Sequence, residues 1–136
     1  QYNEDKIRAI IKNNGLSDMA TFLGWVKGAE KDRIMATSDV LVLPSYFEGM
    51  PICILEAMTY AMPVITTPVG GIPEIMTDGI EGTFITPGDK NALTQAIDMY
   101  LEHPELLKAQ GQAGYSHSQQ FLPGNITARL ASIIGK

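Results

Sequence analysis

Two glutamates, Glu48 and Glu56, are the residues whose type and spacing could support chemistry. They lie in the stretch DVLVLPSYFEGMPICILE, in which Val40–Leu43 is a short apolar run typical of a strand buried on both faces of a parallel sheet. A proline and a serine end the run, and Gly49 permits a tight bend. Pro51 suits the first position of a helix, which the sequence predicts to reach about Tyr60.

Such a strand–turn–helix unit favours anion binding, because free N–H groups and the positive end of a helix dipole lie beyond the carboxyl end of the strand. Glu48 precedes the predicted helix and Glu56 lies within it, so the two carboxylates flank the anion site. Carboxylates repel a bare phosphate but accept hydrogen bonds from hydroxyl groups. A nucleotide sugar offers a diphosphate to the turn, and its ribose diol and sugar ring offer hydroxyls to the carboxylates.

The same residues resemble the donor site of retaining glycosyltransferases with the GT-B fold, chiefly glycosyltransferase family 4, or glycosyl transferases group 1. Glu48 and Glu56 have the E-x7-E spacing of that family, within the signature-like PSYFEGMPICILEAM. Further stretches follow in the family's order: FLGWV (22–26), PVITTPVGGIPEI (63–75), DGIEG (78–82) and PGD (87–89). The resemblance covers about Lys6 to Tyr115.

The resemblance implies a role for each part of this turn. Donor-sugar binding is expected of Glu48, Gly49, Met50 and Pro51. The phosphates are expected at Met50 and Ile52, and the ribose at Glu56. Each glutamate also has an ordinary interpretation, since Glu48 could complement a helix N-terminus and Glu56 could be a solvated helix residue. The ordered series of motifs favours the donor site.

Trp25 and Val26 follow FLG, where the loop passes the nucleobase in the resembling family. They are therefore candidate base contacts. The alternative is that Trp25 packs at the end of a strand or lies on the surface as a plate. Cys53, Met58 and Met62 are interpreted as core residues.

Composition is that of an ordinary water-exposed domain. The 136 residues are 45% hydrophobic and 18% charged, which suits one domain, 1–136, with a sizeable core. The net charge of -5 argues against a nucleic-acid surface. A single cysteine suits a reducing cytosol, and no apolar run is long enough for a transmembrane segment. A cytoplasmic location is expected, with any peripheral membrane contact made through a domain outside this sequence.

Apolar spacing predicts alternating helices and strands. Helices are expected over 4–14, 31–37, 51–60, from Asp89, from Pro104 and over 125–134, and strands over 20–23, 40–43, 63–67 and 82–85. This alternation predicts an α/β, doubly wound, Rossmann-like parallel sheet with flanking helices. The resemblance implies that this sheet is one half of a GT-B fold.

Several positions depart from the family pattern or allow two interpretations. Ala61 stands where the family usually has glycine, so the preceding helix is expected to end differently. Glu81 stands where asparagine is frequent. Paired glycines after the 63–67 strand could admit a ligand or simply turn the chain. His103 and His117 are interpreted as structural, with no acid, nucleophile or metal partner nearby.

No Lys or Arg occurs between Arg33 and Lys90. A helix N-terminus contributes about 0.3 to 2 kcal/mol to a nearby anion, which is too little to hold a diphosphate beside two carboxylates. Family members carry an Arg and a Lys for this purpose on the first strand and helix of the domain, before the first residue here. We therefore expect a domain truncated at its N-terminus, a separate acceptor domain, and an isolated chain that is inactive and binds donor weakly. An exposed sheet edge could then lead to self-association.

The function implied is the donor-binding domain of a retaining glycosyltransferase that moves a sugar from a nucleotide-diphosphate sugar to a hydroxyl acceptor, in glycan or cell-surface polysaccharide synthesis. No metal and no further cofactor are expected. The alternative is a non-catalytic nucleotide-sugar-binding or scaffold module. A dehydrogenase ranks last, because no G-x-G-x-x-G follows a predicted strand.

Overall fold

The computed structural model describes residues 4–134, except for the side chains of residues 127–130. The chain divides into two compact units, residues 1–32 and 33–136. The boundary falls within helix α2 (Gly28–Thr37), which begins three residues earlier than predicted.

The first unit contains helix α1 (Glu4–Asn13) and the loop that follows it. Gly15, with a φ of 68°, ends the helix as predicted, and Leu16 N–H bonds back to Ile11 C=O at 3.0 Å. Arg8 lies 4.1 Å from the centre of the Phe22 ring. The predicted strand 20–23 is wrong, since residues 4–32 as described contain no strand to pair with it.

The second unit is built on three parallel strands in the order β1-β2-β3: β1 (Leu41–Leu43), β2 (Val64–Thr66) and β3 (Gly82–Phe84). The parallel α/β prediction is confirmed. Every residue of β2 is buried, whereas Val42 of β1 is 39% exposed. The prediction that the first strand is buried on both faces is therefore wrong, since the Val42 side chain reaches solvent.

Helices cover both faces of this sheet, as expected of a doubly wound fold. The helices that follow β1 are α3 (Ile52–Thr59), α4 (Ile72–Ile75), α5 (Lys90–Glu102), α6 (Pro104–Ser118) and α7 (Pro123–Ile134), with a 3₁₀ turn at Gln119–Phe121. On one face Val64 packs with Ile54 of α3 and Ile72 of α4. On the other face Ile65 packs with Ala96 and Tyr100 of α5. The alternation of buried Val64 and Ile65 thus joins two cores through one strand.

Helix α5 covers the sheet less completely than its apolar pattern predicted. Ile97 is 40% exposed and Leu101 is 74% exposed, while Ala96 and Tyr100 are buried. The exposed pair lines an apolar cavity of about 300 Å³ that also touches Val42 of β1. The uncovered part of the sheet is therefore the β1 side.

Ala61 ends helix α3 in the left-handed conformation, with a φ of 54°. Met62 N–H bonds to Ala57 C=O at 3.1 Å and Ala61 N–H to Met58 C=O at 3.0 Å, which together form a Schellman cap. The expectation that the helix ends differently is therefore wrong. The close approach of α6 explains the rigid cap, since a Cβ on Gly111 would lie 2.0 Å from the Ala61 carbonyl oxygen.

Within the described residues, no helix has the length and apolar character needed to cross a membrane.

Candidate functional site

The turn between β1 and α3 lies at the carboxyl end of the sheet and carries the first glutamate of the pair. Its tip is solvated, with Tyr46 76% and Phe47 85% exposed. Glu48 is half-buried, and Ser45 donates a hydrogen bond from Oγ to Glu48 Oε1 at 2.5 Å. The carboxylate therefore has a fixed partner within its own turn.

The end of β2 holds this turn from the sheet side. Thr67, fully buried, donates from Oγ1 to the Ser45 carbonyl oxygen at 2.6 Å. One residue earlier, Thr66 Oγ1 donates to the Leu43 carbonyl oxygen at 2.8 Å. Two threonine hydroxyls thus tie the turn to the most buried strand of the sheet.

The paired glycines after β2 contact the turn backbone. A Cβ on Gly70 would lie 1.8 Å from the Glu48 carbonyl oxygen, a distance that no side chain can occupy. Gly71 donates its N–H to the Gly49 carbonyl oxygen at 2.8 Å. The glycines were expected to admit a ligand or to turn the chain, and the structure gives them another role: they make room for the turn that bears Glu48.

Helix α3 begins at Ile52, with Pro51 as its N-cap residue at φ −75° and ψ 103°. The helix thus begins one residue later than predicted. No side chain caps this end, and Ile54 N–H to Pro51 C=O, at 3.1 Å, closes the first turn. The amides of Ile52 and Cys53 precede that bond. Because no side chain caps the helix, the positive end of its dipole is not offset by a capping carboxylate.

Both candidate carboxylates act electrostatically on the thiol of Cys53. Burial raises the pKa of this thiol most, and the negative charges of Glu48 and then Glu56 raise it further. Cys53 is half-buried rather than fully in the core as predicted, whereas Met58 and Met62 are buried as predicted. Glu48 and Glu56 therefore each lie near enough to the first turn of α3 to influence its thiol.

Glu56 is half-buried on α3 and lines a shallow cavity of about 160 Å³ where α3 faces the end of α6. Ser118 and Phe121 form the opposite wall. Trp25 and Val26 belong to the other compact unit. Trp25 is 92% exposed, so it does not pack at a strand end, and Val26 is half-buried.

A second cavity at the carboxyl end of the sheet has a lysine, Lys90, in its wall. It measures about 230 Å³ and is lined by Pro44, Tyr46, Ile85, Gly88, Asp89, Lys90 and Leu93. Asp89 caps α5 as predicted, accepting from Ala92 N–H at 2.9 Å. In the sequence Lys90 only marked the end of an interval without Lys or Arg, and the structure places it in the wall of the same cavity as Tyr46.

The two histidines do have acid partners, contrary to prediction. His117 Nδ1 lies 2.7 Å from Oε1 of the buried Glu81, and His103 Nδ1 lies 3.1 Å from Glu105 Oε1 at the surface. Hydrogen bonding to its own backbone N–H, aided by His103, lowers the pKa of Glu105. Within the described residues, no three His, Cys, Asp or Glu side chains form a group that could hold a metal ion.

Known proteins are similar to this chain in both sequence and fold. D-inositol 3-phosphate glycosyltransferase of Streptomyces griseus is 30% identical over 107 residues, covering 79% of this chain and 23% of that protein. A colanic acid biosynthesis glycosyltransferase, WcaL of Salmonella typhimurium, is 28% identical over 139 residues, covering 96% and 34%. The crystal structure of Anabaena HepE in complex with UDP superposes with a TM-score of 0.84 at 26% identity, covering 96% and 36%.

The chain thus spans between about a quarter and about a third of the length of these proteins. Its architecture is that of one half of a GT-B fold, with a Rossmann-like parallel sheet and flanking helices. The family described as glycosyl transferases group 1 matches residues 1–117. The chain is therefore a member of the glycosyl transferases group 1 family.

Proposed function

We propose that this chain is the donor-binding domain of a retaining glycosyltransferase that transfers a sugar from a nucleotide-diphosphate sugar to a hydroxyl acceptor. One observation carries the proposal: Glu48, held by Ser45, lies in the turn that leads into the uncapped first turn of α3, and the same helix bears Glu56. Two carboxylates beside free amides fit a ligand that combines an anion with hydroxyl groups.

Each group has a defined part in the proposal. Glu48, with Gly49, Met50 and Pro51, binds the donor sugar, and Glu56 accepts hydrogen bonds from the ribose diol. The amides at Met50 and Ile52 bind the phosphates, and Pro51 shapes the turn without donating. Trp25 and Val26 contact the nucleobase. The related Anabaena structure, which contains UDP, supports a nucleotide ligand.

The chemistry assigned to the turn is electrostatic. As the diphosphate leaves, it gains negative charge, and N–H donors fixed beforehand stabilise that charge more than they stabilise the ground state. The proposal assigns no nucleophile, general base, metal or further cofactor to this chain. Acceptor binding is assigned to sequence that the longer relatives have beyond the matched region, because nothing in the proposed roles positions an attacking hydroxyl.

We extend the proposal to the biological role and cellular location of the protein and to the activity of the isolated chain. The colanic acid relative supports a role in cell-surface polysaccharide synthesis. The acidic charge and single cysteine suit a reducing cytoplasm, with any membrane contact made through the acceptor domain. The isolated chain is proposed to transfer no sugar and to bind donor weakly, because it has no Lys or Arg between Arg33 and Lys90.

Nuclear magnetic resonance can test the site in this chain even when binding is weak. Titration with UDP should shift the amide signals of Gly49, Met50, Ile52 and Cys53, and 2'-deoxy-UDP should bind less well. Glu56→Ala should weaken UDP binding by about 1.5 to 3 kcal/mol, the range for a hydrogen bond to a charged group, and should abolish the difference between the two nucleotides. Glu102→Ala, at the end of α5, is the matched control. Equal affinities for both nucleotides in the wild type would remove the ribose from Glu56, and low-micromolar donor binding would contradict the proposed weakness.

We also propose self-association through the open edge of β1. Its backbone has a strand partner on one side only among the described residues, and the cavity beside it exposes Val42. Sedimentation at increasing concentration should show dimers that Val42→Lys removes. A concentration-independent monomer would contradict this.

A further inference from the structure

Glu48 lies on a turn whose aromatic side chains do little to fix it. Tyr46 and Phe47 on the same turn are 76% and 85% exposed, so they bring little packing energy. A glutamate with three free dihedral angles loses rotamer entropy when one geometry is imposed. Some contact must therefore hold the carboxylate if it is to meet a sugar hydroxyl in one fixed position.

Ser45 supplies that contact. Its hydroxyl donates to Glu48 Oε1 at 2.5 Å, the length of a strong hydrogen bond to a charged acceptor. The bond uses one carboxylate oxygen. The other oxygen, Oε2, accepts no hydrogen bond from the described part of the chain, so it is the oxygen that can accept one from a ligand hydroxyl.

The serine is itself fixed from the core. Its carbonyl oxygen accepts a hydrogen bond from the fully buried Thr67 at 2.6 Å. The backbone of Glu48 is fixed from the same segment, because Gly70 leaves only enough room for the Glu48 carbonyl oxygen. Side chain and backbone of one glutamate are therefore both held by residues 67–70, which follow the buried strand β2.

From this geometry we infer that Ser45 is a positioning residue for Glu48, that Thr67 and Gly70 fix its frame, and that Glu48 presents Oε2 to the donor sugar. The inference rests on the proposed function for the role of Glu48. It goes further in predicting that Ser45 governs recognition of the sugar and not of the nucleotide. Ser45 touches no ligand in this scheme, so its effect must pass through Glu48.

The first test needs no ligand. In Ser45→Ala, the side-chain coupling constants of Glu48 should change from those of one fixed rotamer to averaged values, while Ser45→Thr should keep the fixed pattern. Ser116→Ala, which removes a solvent-exposed hydroxyl bonded to the Gln112 carbonyl oxygen on α6, is the matched control. A fixed Glu48 rotamer in Ser45→Ala would overturn the inference.

The second test compares UDP-glucose with UDP in the same variants. Ser45→Ala should lower the preference for UDP-glucose over UDP about five- to tenfold, the effect of losing one well-placed hydrogen bond, and should leave UDP affinity unchanged. Ser45→Thr should restore the preference. Averaged rotamers with an unchanged preference would overturn the inference, as would an equal loss of affinity for both ligands. A wild type that binds neither ligand would overturn the proposed function, while the rotamer test would still decide whether Ser45 positions Glu48.

Discussion

Two glutamates in turns at opposite ends of the sheet show how differently the fold treats the same side chain. Glu48 follows β1 at the carboxyl end, is half-buried, and accepts from Ser45 through one oxygen. Glu81 precedes β3 at the amino end, is 5% exposed, and uses both oxygens, one for His117 and one for the Thr77 N–H at 2.8 Å. A carboxylate with both oxygens bonded and no solvent access is structural, whereas one with a free oxygen can bind a ligand.

The supports of the two turns differ in the same way. At the carboxyl end the turn is held by other loops, through Thr67 and Gly70. At the amino end it is held by a helix, because His117 of α6 reaches Glu81 and Gln110 of α6 donates to the Gly79 carbonyl oxygen at 3.2 Å. A solvated loop that is held by a buried segment suits ligand binding. A turn that is hydrogen-bonded to a helix suits stability.

Glycine substitutions at these two turns should give the largest difference in the free energy of unfolding. Gly70 packs against the turn of Glu48, and Gly79 lies in the turn of Glu81. Gly70→Ala should lower the free energy of unfolding by about 3 to 4 kcal/mol, since left-handed strain and a clash with the Glu48 carbonyl oxygen add. Gly79→Ala has a similar positive φ but open space around the new Cβ, so its cost should be about 1 kcal/mol. Urea unfolding measures both. Equal losses would mean that the 70–71 loop moves away from the turn and does not support Glu48.

The next largest difference in the free energy of unfolding is expected between alanine substitutions of the two glutamates. Glu81→Ala should cost about 2 to 3 kcal/mol, because it leaves His117 and the Thr77 amide without their acceptor in a buried site. Glu48→Ala should cost less than about 1 kcal/mol, since it removes one hydrogen bond from a solvated turn. Thermal and urea unfolding of the two variants provide the comparison. A larger loss for Glu48→Ala would make it the structural carboxylate.

Parts of this contrast could be read from the sequence. The short strand patterns at β2 and β3 and the capping aspartate before α5 are local signals, and the structure agrees with them. The Glu81–His117 pair spans 36 residues and leaves no local trace. The same is true of Gly70, whose need for space depends on a carbonyl group 22 positions earlier in the chain. Segment 20–23 had a strand pattern, but a strand forms only where another strand can pair with it.

Ala61 offers a smaller change at the amino end, where α3 meets β2. Because its φ of 54° is strained for alanine, Ala61→Gly should raise the free energy of unfolding by about 0.5 to 1 kcal/mol. The same substitution at the exposed Ala109 within α6 should lower it by about 1 kcal/mol. The opposite signs separate relief of strain from a general effect of glycine. A loss of stability in Ala61→Gly would show that the left-handed conformation of Ala61 carries no strain that glycine relieves.

The smallest expected effect concerns Cys53, which senses both candidate carboxylates. Because burial and then Glu48 and Glu56 raise the pKa of its thiol, alkylation by iodoacetamide should be slow at neutral pH and should speed up only at alkaline pH. Glu48→Gln should move the rate profile to lower pH, and Glu56→Gln should move it less, since Glu48 has the larger influence. Glu74→Gln, on the surface of α4, is the control and should leave the profile in place.

The same raised pKa fixes the sign of a stability effect. The folded protein holds the thiol proton at a pH where the unfolded chain has begun to release it, so the stabilising contribution is complete below the unfolded pKa. It is lost as the pH rises through that value towards the folded pKa. Cys53→Ser should therefore flatten the decline of unfolding free energy on the alkaline side, where buried Tyr100, whose pKa burial also raises, contributes the remainder. If neither glutamate variant shifts the alkylation profile, the two carboxylates do not share the first turn of α3.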